Sequence, residues 1–546
     1  MNLASASSLP TRLSPAIRRA ALLLAVIVLC AVGQAAAPHP GQFMVLPFGG
    51  SEPPFELIER YRPAGLILFN SNFDGNDHLG MLRAIRNRHP DLLIFVDQEG
   101  GPFMSYRTPE VVRFPSAMAL GATDDRQLAE AVGRAVGGQL CAAGIDVNLA
   151  PVLDINVNPD NPIIGLRSFG SSPQQATPIA LSFARGLERA GVLATAKHFP
   201  GHGDTDVDSH LGLPVVDKPL EALERVEFYP FREGVAAGIP LVMSAHILYP
   251  ALDSEYPATL SRAILTGLLR DDMGFDGVII TDDMRMRAIR DRYGSDYAVQ
   301  RAVSAGVDLV LVGRTRQDAE ATYQALEAAL TSGAISEQRA AETQERLQRL
   351  RDLRPESCPA HDRQKAQALA LEVARRSVTH LDGSVPIDGE GTIVVAPRIS
   401  DRYGREPSLA DLAPELLAGS QGVTLTERPT EADIRRAAEA AADMERIVLG
   451  TYHWLGRLPR EQIALYDALR ALGKPLYVVA LGNPDDISYF SVRPDGYLAT
   501  YGYRSVQLVA ALEVLAGEIS ATARLPVAAG PYPRGAGGIG LVGGEE

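Results

Sequence analysis

Eight short apolar runs between residues 42 and 313 constrain this chain more than any other feature. They read QFMVLP (42–47), LILF (66–69), LLIFVD (92–97), VNLAPV (147–152), LATAKH (193–198), LVMSAH (241–246), GVIITD (277–282) and LVLVG (309–313). Each ends in small, polar or turn-forming residues. Most lead into stretches with apolar residues at three- and four-residue spacing, such as DHLGMLRAIRNRH (77–89) and DRQLAEAVGRAVGGQLCAAG (125–144). Unbroken apolar runs suit strands buried on both faces, as in a parallel sheet, and the intervening pattern suits helices that stop at glycine. Eight such units predict a (β/α)8 TIM barrel, which absorbs about 250 residues as one domain.

A second alternation follows. RPESCPAHDR (354–363) combines prolines and charges and reads as a linker. Strand candidates TIVVAP (392–397), RIVLGT (446–451), LYVVALG (476–482) and GYLAT (496–500) then alternate with helical patterns at 431–444 and 461–473, which predicts a smaller open α/β domain. The tail from Ala528 is rich in Gly and Pro and should be irregular. At the other end, Arg12, Arg18 and Arg19 precede an apolar run from Ala20 to Gly33 that closes on Gln34, Ala35, Ala36 and Ala37, the pattern of a secretory leader cut after Ala35. The expected division is a leader over 1–35, a catalytic barrel over 40–353, a linker and connecting helix over 354–390, and a C-terminal α/β domain over 391–546. The expected location is periplasmic or extracellular, with tethering through an uncleaved leader as the alternative.

Charge narrows the ligand. The formal charge of −14 falls to −17 once Arg12, Arg18 and Arg19 leave with the leader, which disfavours nucleic acid and favours a small neutral substrate. Of the three cysteines, Cys141 and Cys358 remain after cleavage. Neither lies in a CxxC or His-paired motif, so no metal or redox role is assigned.

A barrel places its chemistry at the C-terminal ends of its strands. Asn70, Asp97, Asp154, Lys197 with His198, His246 and Asp282 all fall there. The densest polar segment, KHFPGHGDTDVDSHLGLP (197–214), leaves the fifth strand and admits two readings. Asp208 could orient His210 as a general acid and base. Alternatively, His198, His202, Asp204 and His210 could bind a divalent metal, although Lys197 beside them would oppose a cation. In GFDGVIITDDMRM (274–286), Asp282 follows a strand directly, where a carboxylate can attack an electrophilic carbon. Asp283 should point elsewhere and cap or pair.

Taken together, KHFPGHGDTDVDSH, GVIITDD, VDQEGG, IIGLRSFG and VMSAH resemble the β-N-acetylglucosaminidases of glycoside hydrolase family 3, in the family's order and over nearly all of the mature chain. RRSVTHL (375–381), LGNPDD (481–486) and ARLPV (523–527) extend the resemblance beyond the linker. It implies a retaining mechanism with Asp282 as nucleophile, His210 and Asp208 as the acid/base dyad, and Asp97, Arg167, Lys197 and His198 as sugar-binding residues. No cofactor, metal or stable protein partner is implied. The expected substrate is a small carbohydrate or muropeptide carrying terminal β-linked N-acetylglucosamine, with a β-glucosidase as the alternative. Two positions depart from the family. After VDQEGG an arginine is usual, with a second a few residues on, whereas Pro102 stands here in the first place and Arg107 is displaced, leaving Arg107 as a candidate sugar ligand. Arg285 stands where Ser or Gly is common.

Overall fold

The computed structural model describes residues 38–75, 77–209, 211–313, 315–401 and 404–538. The expected leader and His210 lie outside the described residues.

The eight apolar runs form eight parallel strands: β1 (Met44–Pro47), β2 (Gly65–Leu68), β3 (Leu93–Val96), β4 (Val147–Asn148), β5 (Leu193–Phe199), β6 (Leu241–Ser244), β7 (Val278–Thr281) and β8 (Val310–Leu311). Their order is β8-β1-β2-β3-β4-β5-β6-β7, and a parallel bridge between Ile280 and Leu309 closes the ring. Successive side chains of a strand point to opposite faces. Val45, Ile67, Phe95, Val147, Leu193, Leu241, Met243, Val278 and Ile280 accordingly fill the lumen. Met44, Leu46, Leu66, Leu68, Ile94, Val96 and Val242 pack outward with the helices. Both faces are dry, which is why most of the strands read as apolar runs and do not alternate in polarity. Truncating a lumen ring such as Phe95 to Ala should cost about 3–5 kcal/mol.

Two of the outer helices pack unusually closely. α1 (Arg126–Ala142) is capped by Asp125, whose carboxylate accepts the N–H groups of Gln127 and Leu128; α2 (Pro173–Arg189) starts with proline at its first position. A Cβ on Gly133 of α1 would stand 2.0 Å from the Phe183 carbonyl oxygen of α2, so only glycine permits this approach. Cys141 at the end of α1 forms a disulfide with Cys358, 217 residues away. The bond ties the barrel to the segment leading into α3 (Arg363–Ser377).

The second domain is a six-stranded sheet in the order β9-β14-β13-β12-β10-β11, with β9 (Thr379–Asp382), β10 (Thr392–Pro397), β11 (Gln421–Leu425), β12 (Arg446–Thr451), β13 (Leu476–Ala480) and β14 (Gly496–Ala499). All pairs are parallel except β9 against β14. β9 belongs to this sheet, which therefore begins ahead of the expected boundary at 391. β11 carries the polar, half-exposed edge sequence QGVTL, which lacks the apolar run that marks the other strands. The tail is irregular as far as 538, apart from isolated bridges at Arg524–Gly537 and Ala529–Tyr532.

One face of this sheet is apolar toward the barrel. Ile393, Val395, Ile447, Leu449 and Val478 share a cluster with Met118, Ala119 and Ala122 of the short helix Ala117–Thr123 and with Leu166, which neighbours Arg167. The second domain thus packs on the connection that carries one of the predicted sugar-binding residues.

Candidate active site

The strand ends bring a buried ionic cluster together. Asp97 follows β3 directly, and Lys197 and His198 lie near the end of β5. Arg167 sits in the single turn Gly165–Arg167 of the long β4–α2 connection. The Lys197 ammonium, 2% exposed, stands 2.8 Å from Asp97 Oδ1 and 2.6 Å from Glu99 Oε1. Arg167 meets Glu99 side-on, with Nε donating to Oε2 and Nη2 to Oε1, both at 2.8 Å. Burial alone would raise the Glu99 carboxyl, but the charges of Arg167 and Lys197 outweigh it and hold the group at about 2. The reciprocal effect raises Lys197 and Arg167 against the desolvation that would lower them. All three groups therefore stay ionised at any working pH. Asp97 is the more open carboxylate, its side chain 19% exposed against 3% for Glu99.

His198 is fixed behind this cluster. Its Nδ1 lies 2.7 Å from Asp154 Oδ2, and its Nε2 faces Arg167 Nη2 at 3.4 Å. Asp154 Oδ1 also accepts the backbone N–H groups of His198 and His202, at 3.1 and 2.7 Å. Burial would raise Asp154; the His198 ring and these donors more than offset it and hold the carboxyl low. His202 is buried between Thr205 Oγ1, 2.8 Å from Nδ1, and Ser209 Oγ, 3.2 Å from Nε2. Burial, with His198 adding to it, lowers His202 to about 4, so it is a neutral brace inside the loop.

Across the mouth, the Asp282 N–H donates to the Ser244 carbonyl at 3.3 Å, tying the end of β7 to β6, and its Oδ1 accepts the Asp283 N–H at 2.7 Å. Asp283 turns away: its Oδ1 accepts the Arg285 N–H, and its carboxylate lies 3.8 Å from the Arg285 guanidinium. Burial, with the neighbouring Asp282 charge adding to it, raises the Asp283 carboxyl. His246 supports this corner, with Nε2 3.1 Å from the Asp283 carbonyl and Nδ1 2.8 Å from Thr259 Oγ1.

The loop after β5 carries the other predicted catalytic pair. Asp208 is half-buried, and its carbonyl accepts the N–H groups of Leu211 and Gly212. Next to it, Ser209 links the loop to the Asp282 segment through its carbonyl, which accepts the Ala288 N–H at 3.4 Å. His210 lies outside the described residues. Of the alternative metal ligands, Asp204 pairs with Lys218 at 2.6 Å and His198 is engaged by Asp154 and Arg167. Among the described residues no three His, Cys, Asp or Glu side chains converge as a metal site. Asn70 begins the short turn Asn70–Asn72.

Arg107 donates to the Pro102 carbonyl at 3.0 Å and to the Met104 carbonyl. These bonds brace the hairpin formed by Gln98–Gly100 and Phe103–Met104. The same hairpin holds two residues that sequence reasoning passed over. Glu99 stands two residues beyond Asp97 on an extended stretch, so both point to one face, a signal that could have found it. Phe103 lies with its ring 4.4 Å from the Arg167 guanidinium and 5.8 Å from the Lys197 ammonium, a cation–π arrangement with no signature in sequence.

The arrangement offers fixed cations and an open carboxylate for hydroxyl groups, with a second carboxylate, Asp282, across the mouth. The glycosyl hydrolase family 3 N-terminal domain matches residues 42–350. Beta-hexosaminidase A of Pseudoalteromonas piscicida is 31% identical over 509 residues, 82% of this chain and 84% of that protein. A beta-hexosaminidase of Chromobacterium violaceum is 39% identical over 273 residues, 48% of this chain and 75% of its own. Among solved structures, a glycoside hydrolase family 3 beta-N-acetylglucosaminidase from Paenibacillus sp. is similar with a TM-score of 0.83 and 32% identity, over 92% of this chain and all of that one.

Proposed function

The chain belongs to glycosyl hydrolase family 3 and is a glycoside hydrolase, and from that premise we propose that it is an exo-acting, retaining β-N-acetylhexosaminidase that releases terminal N-acetylglucosamine from peptidoglycan fragments. The observation that carries the reading is the Asp97–Lys197–Glu99–Arg167 cluster beside His198, at the barrel mouth that also holds Asp282. Such a cluster suits a ring rich in hydroxyl groups, because charged donors make stronger hydrogen bonds than neutral ones.

In this reading Asp282 attacks the anomeric carbon and forms a covalent glycosyl ester while the glycosidic bond breaks. His210, oriented by Asp208, gives its proton to the departing oxygen. The neutral imidazole then takes a proton from water, which opens the ester with a second inversion and so net retention. Asp283 suits the attacking role less well, because its carboxylate turns toward Arg285. The reaction consumes water alone. Export is supported by the leader pattern and by the Cys141–Cys358 disulfide, a bond that persists in oxidising compartments.

A panel of nitrophenyl β-glycosides, with and without chelator, tests the reading. The N-acetylglucosaminide should be preferred over the glucoside in kcat/KM, with no loss on chelation. A pocket built for specific polar groups leaves them unpaired when they are missing, which can discriminate by up to about 10⁴. A glucoside turned over equally well refutes the sugar assignment, and loss of activity on chelation revives the metal alternative.

A further inference from the structure

We infer that Arg504 of the second domain acts across the domain boundary as a positioning residue for the hairpin that carries Glu99 and Phe103. The inference rests on the glycosidase reading of the site. The hairpin turns at Gly100, Gly101 and Pro102, and Gly101 adopts a left-handed backbone with φ +54°. Its Glu99 pairs with Lys197 and Arg167, and its Phe103 ring lies against the same two cations. The placement of both cations therefore depends on where this hairpin sits.

Its tip is held from outside the barrel. Arg504, which precedes α4 (Ser505–Leu515), donates Nη2 to the Gly101 carbonyl at 3.2 Å. The Arg504 side chain is 3% exposed, and Nη1 bonds Glu406 Oε1 at 3.2 Å. Glu406 in turn meets Arg113 of the barrel at 3.4 Å and accepts the N–H and hydroxyl of Ser505. A second bond from the same loop runs from the Ser116 hydroxyl of the barrel to the Tyr501 carbonyl at 2.7 Å. A buried guanidinium, oriented by a carboxylate that also grips the barrel, is a directed strap; generic domain packing would not need one. It acts on sugar-holding groups and leaves the Asp282 segment alone, so its loss should appear in binding.

The test uses the full chain with Arg504→Met, the gentler Glu406→Gln, and Arg375→Met as a control. Arg375 pairs with Glu513 within the second domain, joining α3 to α4. Kinetics are read on the nitrophenyl glycoside that the wild type hydrolyses best, and hydrogen exchange is read over residues 98–104. Arg504→Met should raise KM about tenfold with kcat within about twofold, as coupling through a packed contact does. It should also speed exchange in the hairpin, while Arg375→Met lowers Tm and changes neither. Should Arg504→Met not fold, Glu406→Gln carries the same expectation at about threefold in KM. Unchanged KM and exchange in a folded variant overturn the inference. A KM rise without faster hairpin exchange overturns it too, since the effect then bypasses the hairpin. Failure of the wild type to hydrolyse N-acetylglucosaminides refutes the proposed substrate, while the exchange measurement still decides the strap.

Discussion

Glu99→Gln keeps the shape of a buried side chain and removes one charge, leaving Arg167 and Lys197 without their shared partner. In the wild type the carboxyl is held at about 2 against an ordinary 4.5, with burial opposing and the two cations prevailing. A difference of roughly two and a half pH units, at about 1.4 kcal/mol each, corresponds to roughly 3 kcal/mol of stability at neutral pH. Breaking a buried ion pair from one side costs about 3–5 kcal/mol, a similar figure reached by another route. Because the folded pKa lies below the unfolded one, the contribution is complete above about pH 4.5 and fades as the pH falls toward about 2. Spread over a barrel of roughly 300 residues at about 2.1 cal/mol/K per residue, it should lower Tm by about 5 °C. Misplacement of both cations should reduce kcat/KM by about 10²-fold. Thermal melts of wild type and variant at pH 7, 5 and 3 measure the effect, and the gap should narrow at pH 3. A variant melting within 1 °C of wild type at pH 7, on the scale of roughly 1.5 °C per kcal/mol, refutes the clamp; so does a gap that stays constant down to pH 3.

Three further outcomes follow from the same geometry. Asp282→Asn should lower kcat by at least about 10³-fold while leaving the melt and sugar binding intact, checked by calorimetry and product titration. His202 is held at about 4 by burial, then by His198, against an ordinary 6.5. The folded state therefore takes up its proton later than the unfolded state, so its stability is full above about pH 6.5 and declines by roughly 3 kcal/mol toward pH 4. His202→Gln should flatten that slope in melts across the window. Cys141→Ser should cost about 2–4 kcal/mol, and a reductant should lower the wild-type Tm without affecting the variant.

The barrel was legible because every strand is dry on both faces, so 44–47, 93–96 or 278–281 appear in sequence as unbroken apolar runs. Edge strand β11 hid because QGVTL has a wet side, and β9 hid because THLD is short and runs antiparallel at the sheet margin. Strand-end position marked Asp97, Lys197, His198 and Asp282 as candidates, while the sugar-binding roles expected of the first three came from the family resemblance. Arg167 and Glu99 are 68 residues apart, and no periodicity reports their side-on pairing. Arg107 entered only as the displaced arginine of the family pattern, and its bonds to Pro102 and Met104 are set by hairpin geometry that spacing does not encode. The disulfide was hidden for a related reason: its partners, 217 residues apart, meet only because Cys358 crosses the end of α1.

The central claim is that Asp282 attacks the sugar and holds it covalently. It is tested most directly by incubating the wild type with an activated fluorinated β-N-acetylglucosaminide and mapping the modified peptide by mass spectrometry. The account predicts one sugar per chain, attached to Asp282, released slowly by water and absent from Asp282→Asn. Attachment to Asp283 would contradict it, as would no attachment together with a first-formed product of inverted configuration.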